Sequence, residues 1–181
     1  MRIVFWLICF FWWGMDFYFL VLKRNAAHRV AERKSKFIMT ILIFTGVFLA
    51  VLPEDFRSVW RTRPFGLCQI VGTVMLASGV SLRFLSVLTL GKYFTRDIGI
   101  PIEKRLVTEG LYRRIRHPSY TGEIISFLGV GVVFQHMPAS LFITLLPITA
   151  FIYRAMVEEK ILLQEFGQAY AEYKRKTRMF I

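Results

Sequence analysis

The sequence predicts an all-α integral membrane protein with five transmembrane helices, its N-terminus outside and its C-terminus in the cytoplasm. Hydrophobic residues make up 55% of the 181 residues, and the mean hydropathy is +0.49. The apolar residues also fall into five long runs. This composition is too apolar for an ordinary soluble domain. The length favours a single membrane domain, which we divide into two N-terminal spans at 1–66 and a core at 67–181.

The five apolar runs occupy residues 3–22, 37–52, 67–90, 120–134 and 138–157. About 20 helical residues cross the hydrocarbon core of a bilayer, so the first, third and fifth runs are long enough. The second and fourth are short and require tilt or local thinning of the membrane. The first run is long, is preceded by Arg2 as its only basic residue and lacks an Ala-x-Ala site, so we expect an uncleaved anchor.

The formal net charge of +12 is explained by topology and not by nucleic-acid binding. Lys and Arg are concentrated after the first, third and fifth runs, without a nucleic-acid recognition fold between them. Because short cytoplasmic loops carry the excess of positive residues, these three regions are predicted to be cytoplasmic. Alternation through five spans then gives the orientation stated above.

A few polar or ionisable residues lie inside the apolar runs. Cys9 and Cys68 lack CxxC spacing and are predicted to be packing residues, and no metal site is expected. Asp16 is expected to pair or to extend toward the interface, and so is Arg83. Glu123 is an ionisable group in a costly position, where it is either an acceptor-side base or a partner of Arg83.

The fourth and fifth runs are separated by so few residues that they must form an antiparallel hairpin. Pro118 suits the first turn of the fourth helix, whose free N–H groups and dipole favour an anionic ligand group. Pro147 is expected to kink the fifth helix. The hairpin brings two polar sets together at one membrane surface: Arg116, His117, Tyr120 and Glu123 from one arm, and Arg154, Glu158 and Glu159 from the other.

Residues 158–176 have the periodicity of an amphipathic C-terminal helix. Such a helix either covers the polar cluster as a lid or lies on the lipid headgroups. Gly167 marks a bend in it. Tyr170 is expected to belong to the aromatic belt at the membrane interface.

An ordered set of motifs runs through residues 81–178. It comprises Leu-Val-Thr-Glu-Gly-Leu-Tyr-Arg-Arg-Ile-Arg-His-Pro-Ser-Tyr-Thr-Gly at 106–122, then Arg154-x-x-x-Glu158-Glu159, then Glu165-Phe166-Gly167-x-x-Tyr170-x-x-Tyr173. The set resembles the isoprenylcysteine carboxyl methyltransferase family and, more loosely, the phospholipid methyltransferases. The resemblance is weak across the first two spans. It implies that 67–181 is a methyltransferase core.

The resemblance implies an S-adenosylmethionine-dependent enzyme with its cofactor pocket at the cytoplasmic face. Arg154 and Arg116 would orient an anionic acceptor, and Glu123 is included among the candidate catalytic residues. The residues implied in cofactor binding are Val107, Gly110, Leu111, Tyr112, His117, Tyr120, Glu158 and Glu159. The chain lacks the proline that usually closes the final segment of the family, so we expect its last residues to contribute less to covering the site.

The acceptor class stays open between a carboxylate and a thiol on a small or lipophilic molecule. A five-span chain this short resembles the prokaryotic members, so we expect a bacterial or archaeal inner membrane, with membrane lipids as neighbours. Two other classes share parts of the pattern. They are an NADPH-dependent membrane reductase and a membrane scaffold or transporter subunit without enzymatic activity.

Overall fold

The computed structural model describes residues 2–21, 28–32, 34–53, 66–94, 98–101 and 105–181. Helices dominate this part of the chain, as predicted. They are α1 (Arg2–Val21), α2 (Lys34–Val51), α3 (Leu67–Leu90), α4 (Pro118–Phe134) and α5 (Met137–Lys176). The bounds of α3 coincide with the predicted run, and α4 begins at Pro118, whose missing N–H would be unpaired in a first turn anyway.

A short strand pair was not predicted. The strands β1 (His28–Glu32) and β2 (Ile98–Pro101) are antiparallel, with His28 opposite Pro101 and an irregularity between Val30 and Glu32. They join the chain that follows α1 to the chain that follows α3. Single 3₁₀ turns lie at Gly91–Tyr93 and Gly110–Arg113, and the second leads toward α4.

In the described part of the chain, four helices are long and apolar enough to cross a membrane: α1, α2, α3 and α5. The fifth, α4, is apolar but has only 17 residues. Large hydrophobic side chains such as Phe10, Phe44 and Val74 point outward, with 65%, 71% and 62% of their surfaces exposed. An exposed apolar surface of this extent is typical of contact with lipid.

Glycines allow α3 and α4 to pack closely. A Cβ placed on Gly79 would lie 2.5 Å from the carbonyl oxygen of Gly122, and one on Gly129 would lie 2.6 Å from that of Gly72. Small residues at such crossings let helix backbones approach each other in a membrane. The start of α4 is therefore held closely against the C-terminal half of α3.

The predicted hairpin of α4 and α5 is confirmed, with Gln135 in a left-handed conformation between the two helices. His136 lies between the two helices and caps α5, and its Nδ1 accepts a hydrogen bond from the Ala139 amide at 3.3 Å. Helix α2 packs on the N-terminal half of α5, where a Cβ on Gly46 would lie 2.8 Å from the Phe142 carbonyl oxygen.

The boundary predicted between the last span and the surface helix is wrong. Helix α5 continues from Met137 to Lys176, because no helix-breaking residue lies near 157. Helical dihedrals also continue through the buried Pro147, and the kink expected there stays a prediction. The predicted bend at Gly167 is confirmed, since this glycine has φ of 51° and ψ of −124°, values that suit a residue without Cβ.

A charged cluster inside the apolar core joins three helices. Arg83 of α3 pairs with Asp16 of α1, with Nη2 and Oδ1 2.7 Å apart, and its Nε pairs with Oε1 of Glu123 on α4. Nη1 of Arg83 donates to the Ser119 hydroxyl at 3.0 Å. Pairing of Asp16 and Arg83 is thus confirmed. Cys9 is buried in the core as predicted, whereas Cys68 is exposed.

Candidate active site

The C-terminal tail is paired with the segment that precedes α4. The Arg116 amide donates to the Arg178 carbonyl at 2.8 Å, and the Arg178 amide donates to the Arg114 carbonyl at 3.0 Å. The His117 amide donates to the Met179 carbonyl at 3.2 Å, and the Phe180 ring lies 6.2 Å from the imidazole. The backbone groups of the last residues therefore fix the segment that carries Arg116 and His117. The expectation that these residues contribute less to covering the site stays a prediction.

A cavity lies between this segment, the end of α3 and the second half of α5. Its empty volume, including space open to solvent, is about 890 Å³. The lining residues are Leu90, Tyr93, Phe94, Arg105, Leu106, Val107, Tyr112, Arg116, His117, Ser119, Tyr120, Glu158, Leu162, Phe166, Tyr170 and Tyr173.

Six of the predicted site residues line this cavity: Val107, Tyr112, Arg116, His117, Tyr120 and Glu158. Gly110 and Leu111 lie beside it in the 3₁₀ turn before α4. Gly110 has a positive φ of 58°, and a Cβ there would lie 3.1 Å from Cγ2 of Thr89, so glycine fits this contact with α3. Glu159, Arg154 and Glu123 lie behind the walls, not on the lining.

Glu159 contacts three basic side chains. Its Oε1 lies 2.6 Å from Nε of Arg116 and 3.5 Å from Nε2 of His117, and its Oε2 lies 2.7 Å from Nζ of Lys174. Burial alone would raise the pKa of this carboxyl, but its contacts with His117, Lys174 and Arg116 outweigh burial and lower the pKa to about 2. Glu159 is therefore a fixed anion at neutral pH.

Arg116 serves mainly to hold the end of the chain. Besides Glu159, its Nη1 donates to the carbonyl oxygens of Lys174, at 3.1 Å, and Thr177. These contacts use one guanidinium edge for a carboxylate and the other for backbone carbonyls, which suits the several fixed donors of arginine. A role for Arg116 in orienting an acceptor stays a prediction.

Tyr120 and Glu158 are joined across the hairpin. The Tyr120 hydroxyl donates to Oε2 of Glu158 at 2.8 Å, and the Tyr120 ring stacks on His117 with centroids 5.5 Å apart and planes at 11°. Glu158 keeps 30% of its side chain exposed, whereas His117 keeps 4%. The cavity thus has one accessible carboxylate beside a rigid aromatic pair.

Arg154 lies one helical turn before Glu158. It is 2% exposed, donates to the Ser35 hydroxyl of α2 at 3.0 Å, and interacts electrostatically with Tyr120. A buried guanidinium is costly unless it has polar partners, and these two groups supply them. A role for Arg154 in orienting an acceptor stays a prediction. Ser35 was not found from the sequence, because contacts between distant helices leave no local pattern.

Sequence reasoning missed much of the aromatic wall of the cavity. Tyr170, assigned above to the interfacial belt, is instead 1% exposed and lines the cavity, which corrects that expectation. The Tyr173 hydroxyl donates to the Tyr112 carbonyl at 2.6 Å. Burial raises the pKa of Tyr112 and Tyr170, and raises that of Tyr173 to about 12, so all three hydroxyls are neutral near pH 7. The sequence signal that could have identified this wall was the four-residue spacing of Leu162, Phe166 and Tyr170 along one helix.

The donor set of the site is suited to an organic ligand. Within the described ranges, no group of three or more His, Cys, Asp or Glu side chains is placed to hold a metal ion. The cavity instead combines aromatic side chains, tyrosine hydroxyls that are neutral near pH 7, and the carboxylate of Glu158. Such a lining suits a ligand with an apolar ring, hydroxyl groups and a positive charge.

Residues 67–169 match the family described as phospholipid methyltransferase, which is more than half of the chain. A probable protein-S-isoprenylcysteine O-methyltransferase of Oryza sativa subsp. indica is 39% identical over 130 residues, covering 71% of this chain and 65% of the rice protein. Protein-S-isoprenylcysteine O-methyltransferase B of Arabidopsis thaliana is 32% identical over 160 residues, covering 87% of this chain and 74% of that protein.

The fold also resembles a solved structure, the eukaryotic intramembrane Ras methyltransferase known as isoprenylcysteine carboxyl methyltransferase. The TM-score is 0.60 at 24% sequence identity, and the likeness covers 82% of this chain and 52% of that one. The present chain thus spans about two thirds of the rice relative and about half of the solved structure.

Proposed function

This chain belongs to the protein-S-isoprenylcysteine O-methyltransferase family, and on that premise we propose that it transfers a methyl group from S-adenosylmethionine to a lipophilic, S-prenylated cysteine carboxylate. The resemblance stated from the sequence is confirmed. The observation that carries the proposal is the single cavity wall on which His117, Tyr120 and Glu158 meet in front of the buried Arg154. The names of the relatives favour the carboxylate over the thiol acceptor.

The chemistry of the cavity lining fits an S-adenosyl cofactor. Nε2 of His117 is buried and lies 3.5 Å from Glu159 Oε1, longer than an ordinary hydrogen bond, so it retains hydrogen-bonding capacity for a ligand. S-adenosylmethionine supplies an activated methyl group on a sulfonium. The protein therefore needs to align the acceptor and exclude water, and a carboxylate acceptor requires no general base.

We assign the cofactor contacts by their position on the cavity. Val107, Gly110, Leu111 and Tyr112 offer backbone groups along the segment before α4, and His117 and Tyr120 form the stacked wall beside them. Of the two neighbouring acids, Glu158 is the one that lines the cavity and is partly exposed, so we assign the ribose hydroxyls to it. Glu159 is occupied by Arg116 and Lys174 and holds His117 in place.

Arg154 is assigned to the acceptor carboxylate. Its guanidinium lies on the membrane side of Tyr120, where a lipophilic acceptor would approach, and arginine grips a carboxylate with two parallel hydrogen bonds. Arg116 is committed to Glu159 and to two backbone carbonyls, so its part in acceptor binding is secondary. Glu123 pairs with Arg83 behind the cavity wall. We propose that Glu123 affects catalysis indirectly, through this ion pair.

We also propose that all five helices cross the membrane, with the N-terminus outside and the cavity at the cytoplasmic face. The excess of Lys and Arg near the cavity supports this orientation. The relatives named above come from plants, so they lend no support to a bacterial or archaeal membrane. The division into 1–66 and 67–181 and the contact with membrane lipids remain part of the proposal.

The test is transfer of a labelled methyl group to defined acceptors by purified protein in lipid. An S-prenylated cysteine with a free carboxylate is expected to yield a base-labile methyl ester. The matched controls are the same compound already esterified and the same amino acid without the prenyl chain. Transfer to a prenyl thiol, with a product stable to base, would replace the carboxylate as acceptor. Transfer to none of these compounds would contradict the proposed function.

A further inference from the structure

We propose that the Tyr170 hydroxyl is a cofactor-binding group that hydrogen-bonds to the bound S-adenosyl ligand. The inference deepens the proposed function and rests on it. Neither the motifs nor the pairing of acids and arginines assigns a role to this tyrosine. Its position in the cavity does.

The first observation is that Tyr170 carries a buried hydroxyl without a hydrogen-bond partner. The residue is 1% exposed, and its hydroxyl makes no hydrogen bond to any group in the described ranges. A buried polar group left unsatisfied costs free energy and therefore calls for an explanation. Tyr170 lines the cavity, where a bound ligand could supply the missing partner.

The second observation is the contrast with Tyr173, three residues further along the same helix. Tyr173 lines the same cavity, and its ring lies 5.9 Å from that of Tyr170. Its hydroxyl is satisfied by the Tyr112 carbonyl at 2.6 Å. The Tyr173 hydroxyl therefore links two parts of the pocket wall, whereas the Tyr170 hydroxyl has no hydrogen-bond partner among the described residues.

The third observation concerns what surrounds Tyr170. Leu162, Phe166 and the two tyrosines give the lining an apolar and aromatic part, and Glu159, Arg116 and Glu158 act electrostatically on the Tyr170 hydroxyl. A ligand with a flat ring on this wall and polar groups at the ring's margin suits both features. Burial raises the pKa of the Tyr170 hydroxyl, so it is a neutral group that can donate a hydrogen bond.

The experiment compares Tyr170→Phe with wild type, using S-adenosylhomocysteine as the probe. Calorimetry gives the Kd, and thermal unfolding gives the stability without ligand. Tyr170→Phe is expected to raise the Kd about three- to tenfold, the effect of one neutral hydrogen bond. The unfolding temperature of the free variant should stay the same or rise, because an unsatisfied group has been removed.

Two variants serve as references. Tyr173→Phe should lower the unfolding temperature of the free protein, because it leaves the Tyr112 carbonyl without its partner. Tyr153→Phe, on a side chain 39% exposed on the outer surface of α5, should change neither quantity. The opposite signs expected for Tyr170→Phe and Tyr173→Phe separate a ligand-binding hydroxyl from a structural one.

Three outcomes would overturn the inference. If wild type binds S-adenosylhomocysteine and Tyr170→Phe binds it equally well, the hydroxyl does not contact the ligand. If the free Tyr170→Phe protein is destabilised with unchanged affinity, the hydroxyl is structural. In both cases the proposed function stands. If wild type itself does not bind the probe, the proposed function and this inference are both wrong.

Discussion

Nε of Arg116 and Oε1 of Glu159 lie 2.6 Å apart, although the two residues are 43 positions apart in the chain. Both side chains are 8% exposed. The pair joins the segment before α4 to the C-terminal half of α5, and Arg116 also donates to the carbonyls of Lys174 and Thr177 near the C-terminal tail. The cavity is thus closed on one side by an ion pair between two elements that the hairpin alone would only bring near each other.

The first prediction concerns the pH dependence of this link. The pKa of Glu159 is lowered from 4.5 to about 2 in the folded protein, so its contribution to stability is complete above about pH 4.5. As the pH falls from 4.5 toward 2 the carboxylate takes up a proton and the contribution is lost. The unfolding temperatures of wild type and Glu159→Gln should therefore differ by a constant amount from pH 5 to 7. The two temperatures should converge below pH 4.5.

The control for that series is Glu172→Gln, at an exposed acid on the same helix. It should follow wild type throughout. If the difference in unfolding temperature between wild type and Glu159→Gln stays constant down to pH 3, the charge of Glu159 does not stabilise the fold.

The second prediction is that Arg154→Lys separates acceptor turnover from cofactor binding. Lysine keeps the positive charge but cannot make two parallel hydrogen bonds to a carboxylate. We expect kcat/KM for the prenylcysteine acceptor to fall at least about tenfold, which is the loss of one charge-assisted hydrogen bond. The Kd for S-adenosylhomocysteine should change little. Arg113→Lys, at an exposed position, is the matched control, and equal turnover by Arg154→Lys would remove the role proposed for it.

The third prediction concerns Glu123 and its pairing with Arg83. Glu123→Gln removes the charge from a side chain that is 2% exposed, and we expect a loss of about 1.5–3 kcal/mol in unfolding free energy, the usual worth of a hydrogen bond to a charged group. Turnover should fall only modestly, with an unchanged pH profile. If instead turnover collapses with stability intact, Glu123 acts as a base on the acceptor.

The fourth prediction addresses topology, using single cysteines in a Cys9→Ala and Cys68→Ser background. Met137→Cys lies at the α4–α5 turn, where Met137 is 77% exposed, and Lys176→Cys lies at the end of α5. In intact cells an impermeant maleimide should label Met137→Cys, and it should label Lys176→Cys only after permeabilisation. The reverse pattern would invert the orientation, and labelling of both from one side would mean that α5 does not span.

Much of the helical frame could be predicted from the sequence, because lipid imposes a minimum length on each apolar run. The bounds of α3, the hairpin and the bend at Gly167 follow from hydropathy, a short connection and a glycine with positive φ. The boundary predicted after residue 157, between the last span and the surface helix, was wrong because Glu158 makes the helix more polar at that point but does not end it. Polarity alone does not end a helix.

The parts of the site that were missed depend on contacts between distant segments. The pairing of Arg116 and His117 with Arg178 and Met179 uses backbone groups, which leave no side-chain pattern in the sequence. Tyr170 lies in an amphipathic segment where an interfacial tyrosine is also expected. The fold is what shows that its side of the helix faces a cavity. The strand pair β1–β2 is likewise a long-range backbone contact.

The most direct test of the account is calorimetric binding of S-adenosylmethionine and S-adenosylhomocysteine to the purified protein, with NADPH as a control. Saturable binding of both sulfur compounds, weakened in Glu159→Ala and His117→Ala although both variants remain folded, is the predicted result. Binding of NADPH in preference to them would favour a membrane reductase. No binding of any of the three to folded protein would contradict the account and leave a scaffold or transporter subunit as the better description.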